Sequence, residues 1–384
     1  MRVAVSKGSL LIPPTYFAVA HAKALRKAHD VRIFTGAAEI TDPTALDGLE
    51  LDETLPAILP PARRLSVRTR ERLGALLWPF TALRIRRWGP DLIHQHFAYG
   101  ARAAVAAARR PRRHLIVTVH GGDAFVPLTP LAERGLRARP ALLAMQREVR
   151  SVYRRADLIL AVSEYIAGIA VQGGADPARV RVHYQGVDTD LFTPIPDADP
   201  QSVRRLLFVG RMSDTKGVFD LLSASRALVH DHPHELIYVG DGSARDALQE
   251  AASGLAHVRV VGARTTAEVR GLLRSAHALV LPTRINGRAR EAAGLVLLEA
   301  QACAVPVIAY DSGGTSEMMR AGETGWLAPE GDVDELQSRI VESLQQSPAD
   351  RAEMGGRARA FVVQHRSLRS STRELAAIYQ EVCR

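Results

Sequence analysis

Cysteine is scarce: Cys303 and Cys383 are the only two in 384 residues. That excludes a disulfide scaffold, and an apolar setting for Cys303 fits a reducing cytosol. Long apolar runs are missing. Runs such as Ala75–Phe80 and Ala278–Pro282 fall far short of the ~20 residues of a membrane-spanning helix. Met1–Val5 reads as a first strand, since neither an apolar signal core nor a cleavage site follows. Long polar tracts are missing too, which excludes extensive disorder. No Gly-x-Gly-x-x-Gly follows the first strand, and there is no Walker lysine motif and no Gly-x-Ser-x-Gly elbow. A nicotinamide dehydrogenase, a P-loop nucleotidase and an elbow-type serine hydrolase therefore lack support. Lysine is rare as well: Lys7, Lys23, Lys27 and Lys216 stand among 50 basic residues, and the rest are arginine.

What is present is an arginine excess, a net charge of +9, and an ordinary hydrophobic share of 47%. The length suits two domains of roughly 150–200 residues. Between positions 63 and 87 stand Arg63, Arg64, Arg68, Arg70, Arg72, Arg84, Arg86 and Arg87, with Glu71 as the only acid. Leu65, Leu73, Leu76, Leu77, Trp78, Phe80 and Leu83 are interleaved. Such a stretch can lie on an anionic membrane surface; the plainer alternative is a solvated helix pair. Nucleic acid is not favoured, because no recognition motif accompanies the charge.

Short apolar runs alternate with longer amphipathic segments. Strands are expected at 3–5, 31–34, 92–93, 115–119, 158–162 and 180–182, with helices between them at 17–27 and 101–109. The pattern restarts at 206–209, 236–239, 258–261, 278–281 and 307–309. This is α/β alternation in two Rossmann-like, doubly wound domains, with ligands expected at the carboxyl ends of the strands, across a cleft. Residues 1–187 form the first domain, 188–203 a proline-rich acidic linker, and 204–365 the second. The tail 366–384 reads as an amphipathic helix.

Chemistry concentrates in the second half. After strand 206–209 comes Gly210-Arg211-Met212-Ser213-Asp214-Thr215-Lys216-Gly217. A forked guanidinium and a point-charge ammonium there suit a diphosphate; a charged turn at a helix start is the bland alternative. Glu291 and Glu299 would stand ~12 Å apart on one helix, so Glu291 is better placed on a loop, with the helix starting near Gly294. The N–H groups of Gly294, Leu295 and Val296 would then face an anion, and the carboxylates would accept from hydroxyls. Two ordinary surface glutamates are the alternative.

In the first half, His120-Gly121-Gly122-Asp123 ends one strand and His94-Gln95-His96 another. His94, His96, His120 and Asp123 can be read as metal ligands. Against this, alternating histidines at a strand end are expected to turn one ring to each face. His232 and His234 flank a proline and are expected on the surface. Asp188-Thr189-Asp190 and Asp197-Ala198-Asp199 are read as loop and capping residues.

Taken together, the chain resembles the retaining glycosyltransferases of family 4, which have the GT-B fold. The likeness runs through Asp91-Leu92-Ile93-His94-Gln95-His96-Phe97, His120-Gly121-Gly122-Asp123, Ala156–Glu164, Gly186-Val187-Asp188, Gly210-Arg211 with Lys216-Gly217, Val239-Gly240-Asp241-Gly242, and Glu291 spaced to Glu299. It implies that Arg211 and Lys216 neutralise a donor diphosphate and that Glu299 binds ribose hydroxyls. Glu291 would hold the transferred sugar. Gly210, Gly294, Leu295 and Val296 belong to the donor site, and His120 approaches the sugar from the first domain. Gly8, Ser9 and Asp123 fall on the acceptor side. Ala292-Ala293 stand where the family usually has Gly-Phe, which bears on donor-sugar choice.

The implied reaction is metal-independent transfer from a UDP- or GDP-linked sugar to a glycan or lipid-linked glycan acceptor. Neither metal nor cofactor is implied. The setting is bacterial polysaccharide or glycolipid synthesis, in the cytoplasm or peripheral to the inner face of the membrane. Competing readings are a nucleotide-sugar epimerase or phosphorylase on the same fold, a non-catalytic nucleotide-sugar-binding protein, and a metal hydrolase built on the histidines.

Overall fold

A computed structural model describes residues 1–12, 16–109, 113–133, 135–195, 204–285 and 290–384, without the side chains of Tyr16 and Pro43. The chain divides into two units. The first is Met1–Gln185 with Ser371–Arg384, and the second is Gly186–Ser370.

The first unit is built on seven parallel strands: β1 (Arg2–Ile12), β2 (Asp30–Ile40), β3 (Glu50–Glu53), β4 (Leu92–His96), β5 (His114–Val119), β6 (Leu158–Ala161) and β7 (Val180–Val182). Their order is β3-β2-β1-β4-β5-β6-β7. Val3, Ala4 and Val5 are all buried, as are all five residues of β4. Near-continuous burial is what a parallel sheet covered on both faces demands. β1 and β2 outrun the short apolar runs that mark them, pairing from Arg2↔Asp30 to Ile12↔Ile40. Gly8 and Ser9 therefore lie within a strand.

Helices Val67–Leu76 and Trp78–Trp88 occupy the basic stretch. The first packs on β2 through Gly36 and Gly74, where a Cβ on Gly36 would stand 2.7 Å from the Gly74 carbonyl oxygen. The helix Leu368–Val382 sends Leu375, Ile378 and Tyr379 into a core shared with Val3, Val5, Leu92 and Ile116. The tail is thus a structural part of the first sheet's covering layer.

The second unit repeats the plan with β8 (Arg205–Val209), β9 (Glu235–Val239), β10 (Val258–Val260), β11 (Ala278–Leu281), β12 (Val307–Asp311) and β13 (Gly325–Pro329). All pairs are parallel, in the order β10-β9-β8-β11-β12-β13. In each sheet the order reverses beside the first strand, between β1 and β4 and between β8 and β11. Ligands of open α/β sheets bind at such switch points.

Residues 188–195 are not a free tether. Phe192 is buried, Arg274 Nε donates to the Thr193 carbonyl at 2.6 Å, and Arg359 Nη1 donates to that of Phe192 at 3.2 Å. Asp188 Oδ1 accepts from the N–H groups of Asp190 and Leu191, both at 3.0 Å, as a loop cap should. The rest of the expected linker, 196–203, including Asp197 and Asp199, lies outside the described residues.

Candidate active site

In the second unit three loops leave the carboxyl ends of β8, β9 and β11 and are fastened main chain to main chain. Gly210 N–H donates to the Val239 carbonyl at 3.0 Å, Met212 N–H to Asp241 at 2.9 Å, and Ala244 N–H to Met212 at 3.0 Å. This closeness explains the Gly-Asp-Gly pattern after β9. A Cβ on Gly240 would stand 1.9 Å from the Gly210 carbonyl oxygen, and one on Gly242 would stand 2.2 Å from that of Met212. Arg284 N–H donates to Thr215 at 2.8 Å and ties in the loop after β11.

This fastening brings Lys216 and Glu291 together although 75 residues separate them. Lys216 Nζ donates to Glu291 Oε2 in an ion pair, and Thr283 Oγ1 donates to the same oxygen at 2.9 Å. The Glu291 side chain is only 11% exposed. Burial alone would raise its carboxyl pKa. The Lys216 charge, with hydrogen bonds from Lys216, Thr283 and the Ala292 backbone, outweighs it and holds the pKa below the usual value. Glu291 is therefore a fixed carboxylate, its Oε2 shared by Lys216 and Thr283.

Gly294 has φ +72° and caps the helix Leu295–Ala302. A Cβ there would stand 3.5 Å from Glu291 Cγ, so the helix start adjoins the ion pair. Helix geometry leaves the first-turn N–H groups, those of Leu295 and Val296 included, without intrahelical acceptors. Arg211 is exposed on the β8 loop, and Glu299 lies one turn into the helix, half-buried.

Residues that the motifs did not single out brace this arrangement. Asp220 is buried; its Oδ1 accepts from Arg284 Nη1 at 2.9 Å and its Oδ2 from the Tyr310 hydroxyl at 3.1 Å. An acid at the third residue of a helix start is an ordinary surface feature in sequence, so nothing there signalled burial.

In the first unit the ends of β4 and β5 carry the histidines. His94 and His96 point to the same face, with ring centroids 4.4 Å apart. This corrects the expectation of opposite faces: side chains alternate with period two, so positions i and i+2 share a face. His94 Nδ1 meets the Tyr379 hydroxyl at 2.5 Å, and Nε2 meets Thr118 Oγ1 at 2.6 Å. His96 Nδ1 lies 3.0 Å from His120 Nε2, and Gln185 Nε2 lies 2.8 Å from His120 Nδ1. The His120 ring stacks on Phe17 at 4.4 Å and meets Phe97 at 4.5 Å. Burial first, then mutual repulsion, depresses the pKa values of His21, His94, His96 and His120.

Asp123 turns inward instead of facing an acceptor. It is fully buried, and its carboxylate accepts from the N–H groups of Ala98 at 2.8 Å, His120 at 2.9 Å and Gly121 at 3.1 Å. It staples the turn that presents His120. His234, expected on the surface, is buried with Nε2 2.8 Å from Ser225 Oγ.

Residues 15–191 match the family described as Glycosyltransferase Family 4, and residues 203–346 match Glycosyl transferases group 1. The D-inositol 3-phosphate glycosyltransferase 1 of Catenulispora acidiphila is 30% identical over 310 residues, covering 72% of this chain and 69% of that one. The GDP-mannose-dependent alpha-(1-6)-phosphatidylinositol monomannoside mannosyltransferase of Mycolicibacterium smegmatis is 28% identical, covering 78% and 80%. Among solved structures, Anabaena Alr3699/HepE in complex with UDP superposes with a TM-score of 0.75 at 20% identity, over 99% of this chain and 100% of that one. The chain belongs to the family 4 glycosyltransferases, with two parallel-sheet domains of the GT-B fold.

Proposed function

We propose that the protein moves a sugar, with retention and without a metal, from a UDP- or GDP-linked donor to a glycan or lipid-linked glycan acceptor. The observation that carries this reading is the Lys216–Glu291 pair at the switch point of the second sheet, beside exposed Arg211 and the start of the helix Leu295–Ala302. Arg211, Lys216 and the N–H groups of Gly294, Leu295 and Val296 receive the diphosphate, and Glu299 takes the ribose hydroxyls. Glu291, pinned by Lys216 and Thr283, positions the sugar's hydroxyls and is not a nucleophile. His120 is assigned to the transferred sugar.

As the C1–O bond to the diphosphate breaks, charge grows on the phosphate oxygen. Preorganised donors stabilise such charge best. The acceptor hydroxyl attacks C1 from the face the phosphate leaves, and its proton passes to the departing phosphate oxygen. Fixed cations fill the place of a metal. Polysaccharide or glycolipid synthesis is the setting this chemistry serves.

A peripheral membrane position belongs to the same reading. Arg70, Arg84 and Arg86 are occupied by Glu39, Asp52 and the Ala106 carbonyl, whereas Arg63, Arg64, Arg68, Arg72 and Arg87 are exposed. Leu76, Phe80 and Leu83 are exposed beside them, at 73%, 51% and 42%. Cations around a helical apolar row suit an anionic bilayer surface.

Calorimetry with UDP, GDP, ADP and NAD in the presence of a chelator tests the donor site. One diphosphate should bind to wild type and bind more weakly to Lys216→Ala. Folded protein that binds none of them would overturn the reading.

A further inference from the structure

Lys7 is one of four lysines in the chain and stands at the switch point of the first sheet, on β1 opposite Thr35. Its ammonium donates to the Ser9 carbonyl and lies 5.0 Å from the centre of the Phe97 ring. Among the described residues no carboxylate oxygen comes within 4.0 Å of it. The acids that act on it from farther away are Glu71 and Asp123. Asp123 is committed to three backbone N–H groups. Burial pushes the Lys7 pKa down to about 8, so its charge is held at a cost that an incoming anion would relieve. An ammonium has three donors, and among the described residues one of them has an acceptor.

The surroundings are built for contact. Phe97 has φ +68°, uncommon for a bulky residue. It is held there by its N–H on the Thr118 carbonyl at 2.9 Å and by the Gln95 amide, which donates to the carbonyls of His96 at 2.8 Å and Phe97 at 3.1 Å. Overdetermined strain of this kind concentrates at binding sites. The Tyr99 ring lies 5.4 Å from that of Phe97 and is 37% exposed. The His120 ring lies 4.5 Å from that of Phe97.

We infer that Lys7, over an aromatic platform of Phe97 and Tyr99, is the subsite that reads an anionic group on the acceptor. A phosphate or carboxylate oxygen takes the spare N–H donor, and an apolar sugar or glycerol face lies on the rings. The inference rests on the reading of the first unit as the acceptor side.

The scarcity of lysine supplies the test. Protein labelled with 13C at lysine Cε has four signals, each assigned by a single Lys→Arg substitution. With UDP saturating the donor site, it is titrated with glycerol phosphate, methyl glucuronoside and neutral methyl glucoside. The Lys7 signal should move saturably with one or both anions and not with the glucoside, while Lys23 and Lys27 stay still. Phosphate and carboxylate acceptors are told apart by which anion acts. A Lys7 signal that none of the three moves, or a uniform drift of all four signals, would overturn the inference. Whether UDP itself moves the Lys216 signal reports separately on the donor site, so the two readings can fail independently.

Discussion

Gly217 and Pro282 meet main chain to main chain. A Cβ on Gly217 would stand 1.9 Å from the Pro282 carbonyl oxygen, and Gly217 has φ +64°. The residue after Lys216 is therefore a glycine for two reasons, conformation and contact. Gly217→Ala should cost more than about 1 kcal/mol, since both the backbone angle and the approach are violated. Thermal unfolding measures the loss. UDP affinity should fall with it, because the β11 loop that carries Glu291 is pushed off the Lys216 loop.

Glu291→Gln leaves the Lys216 ammonium half-buried without its counter-charge. A fully buried pair broken this way loses about 3–5 kcal/mol; with Lys216 25% exposed, about 1–3 kcal/mol is expected. The sign with pH is fixed by the direction of the shift. A carboxyl whose folded pKa is depressed contributes stability above its unfolded value of about 4.3, and loses it as pH falls through the folded value. Urea unfolding of wild type and variant should differ most near neutrality and converge in acid.

The buried histidines predict a second, separate acid sensitivity. Each is neutral when folded and titrates near 6.5 when unfolded, so the unfolded state binds more protons below that value. Stability of the first unit should rise with pH up to about 6.5 and then level. Histidine resonances followed through an acid titration should stay neutral until the unit unfolds. Protonation of these rings in the intact fold would contradict this.

Tyr379→Phe removes the hydroxyl that meets His94 Nδ1 and keeps the ring in the core. About 1–2 kcal/mol should be lost, the cost of one hydrogen bond and of a buried nitrogen left unpaired. Hydrogen exchange should quicken at the end of β4 and leave the second unit unchanged.

Phe80→Glu places a charge in the exposed row between Leu76 and Leu83. Cosedimentation with anionic vesicles at low salt should fall sharply, with unfolding unaffected because Phe80 lies outside the core. Equal sedimentation of both proteins would remove the membrane from the proposal.

Much of this was readable in advance. Buried parallel strands announce themselves as apolar runs, so β4 to β12 fall close to their expected positions. β3 and β13 were not visible: Glu50–Glu53 is an acidic edge, and Gly325–Pro329 begins with glycine and ends with proline. The resemblance assigned Lys216 and Glu291 to one ligand but not to each other, and their ion pair was not legible. Nor were Asp220, Thr283 and Tyr310, whose value lies in partners far along the chain. Asp123 was legible as important but not as inward-facing, because a His-Gly-Gly-Asp string does not say which side of the turn its carboxylate takes. Lys7 stood in plain view, and its meaning comes from its aromatic neighbour and from the lack of a carboxylate within 4.0 Å among the described residues.

The main-chain fastening of the β8, β9 and β11 loops bears on how such a protein can diverge. Insertions and deletions in loops are the ordinary route by which a scaffold acquires new substrates. Here, lengthening one loop would unseat two others, with Gly210, Met212 and Thr215 contributing the shared bonds. Change is left to side chains that project from a framework of fixed length. In this unit, a new preference would be written by substituting such side chains, one at a time, on loops whose lengths stay fixed.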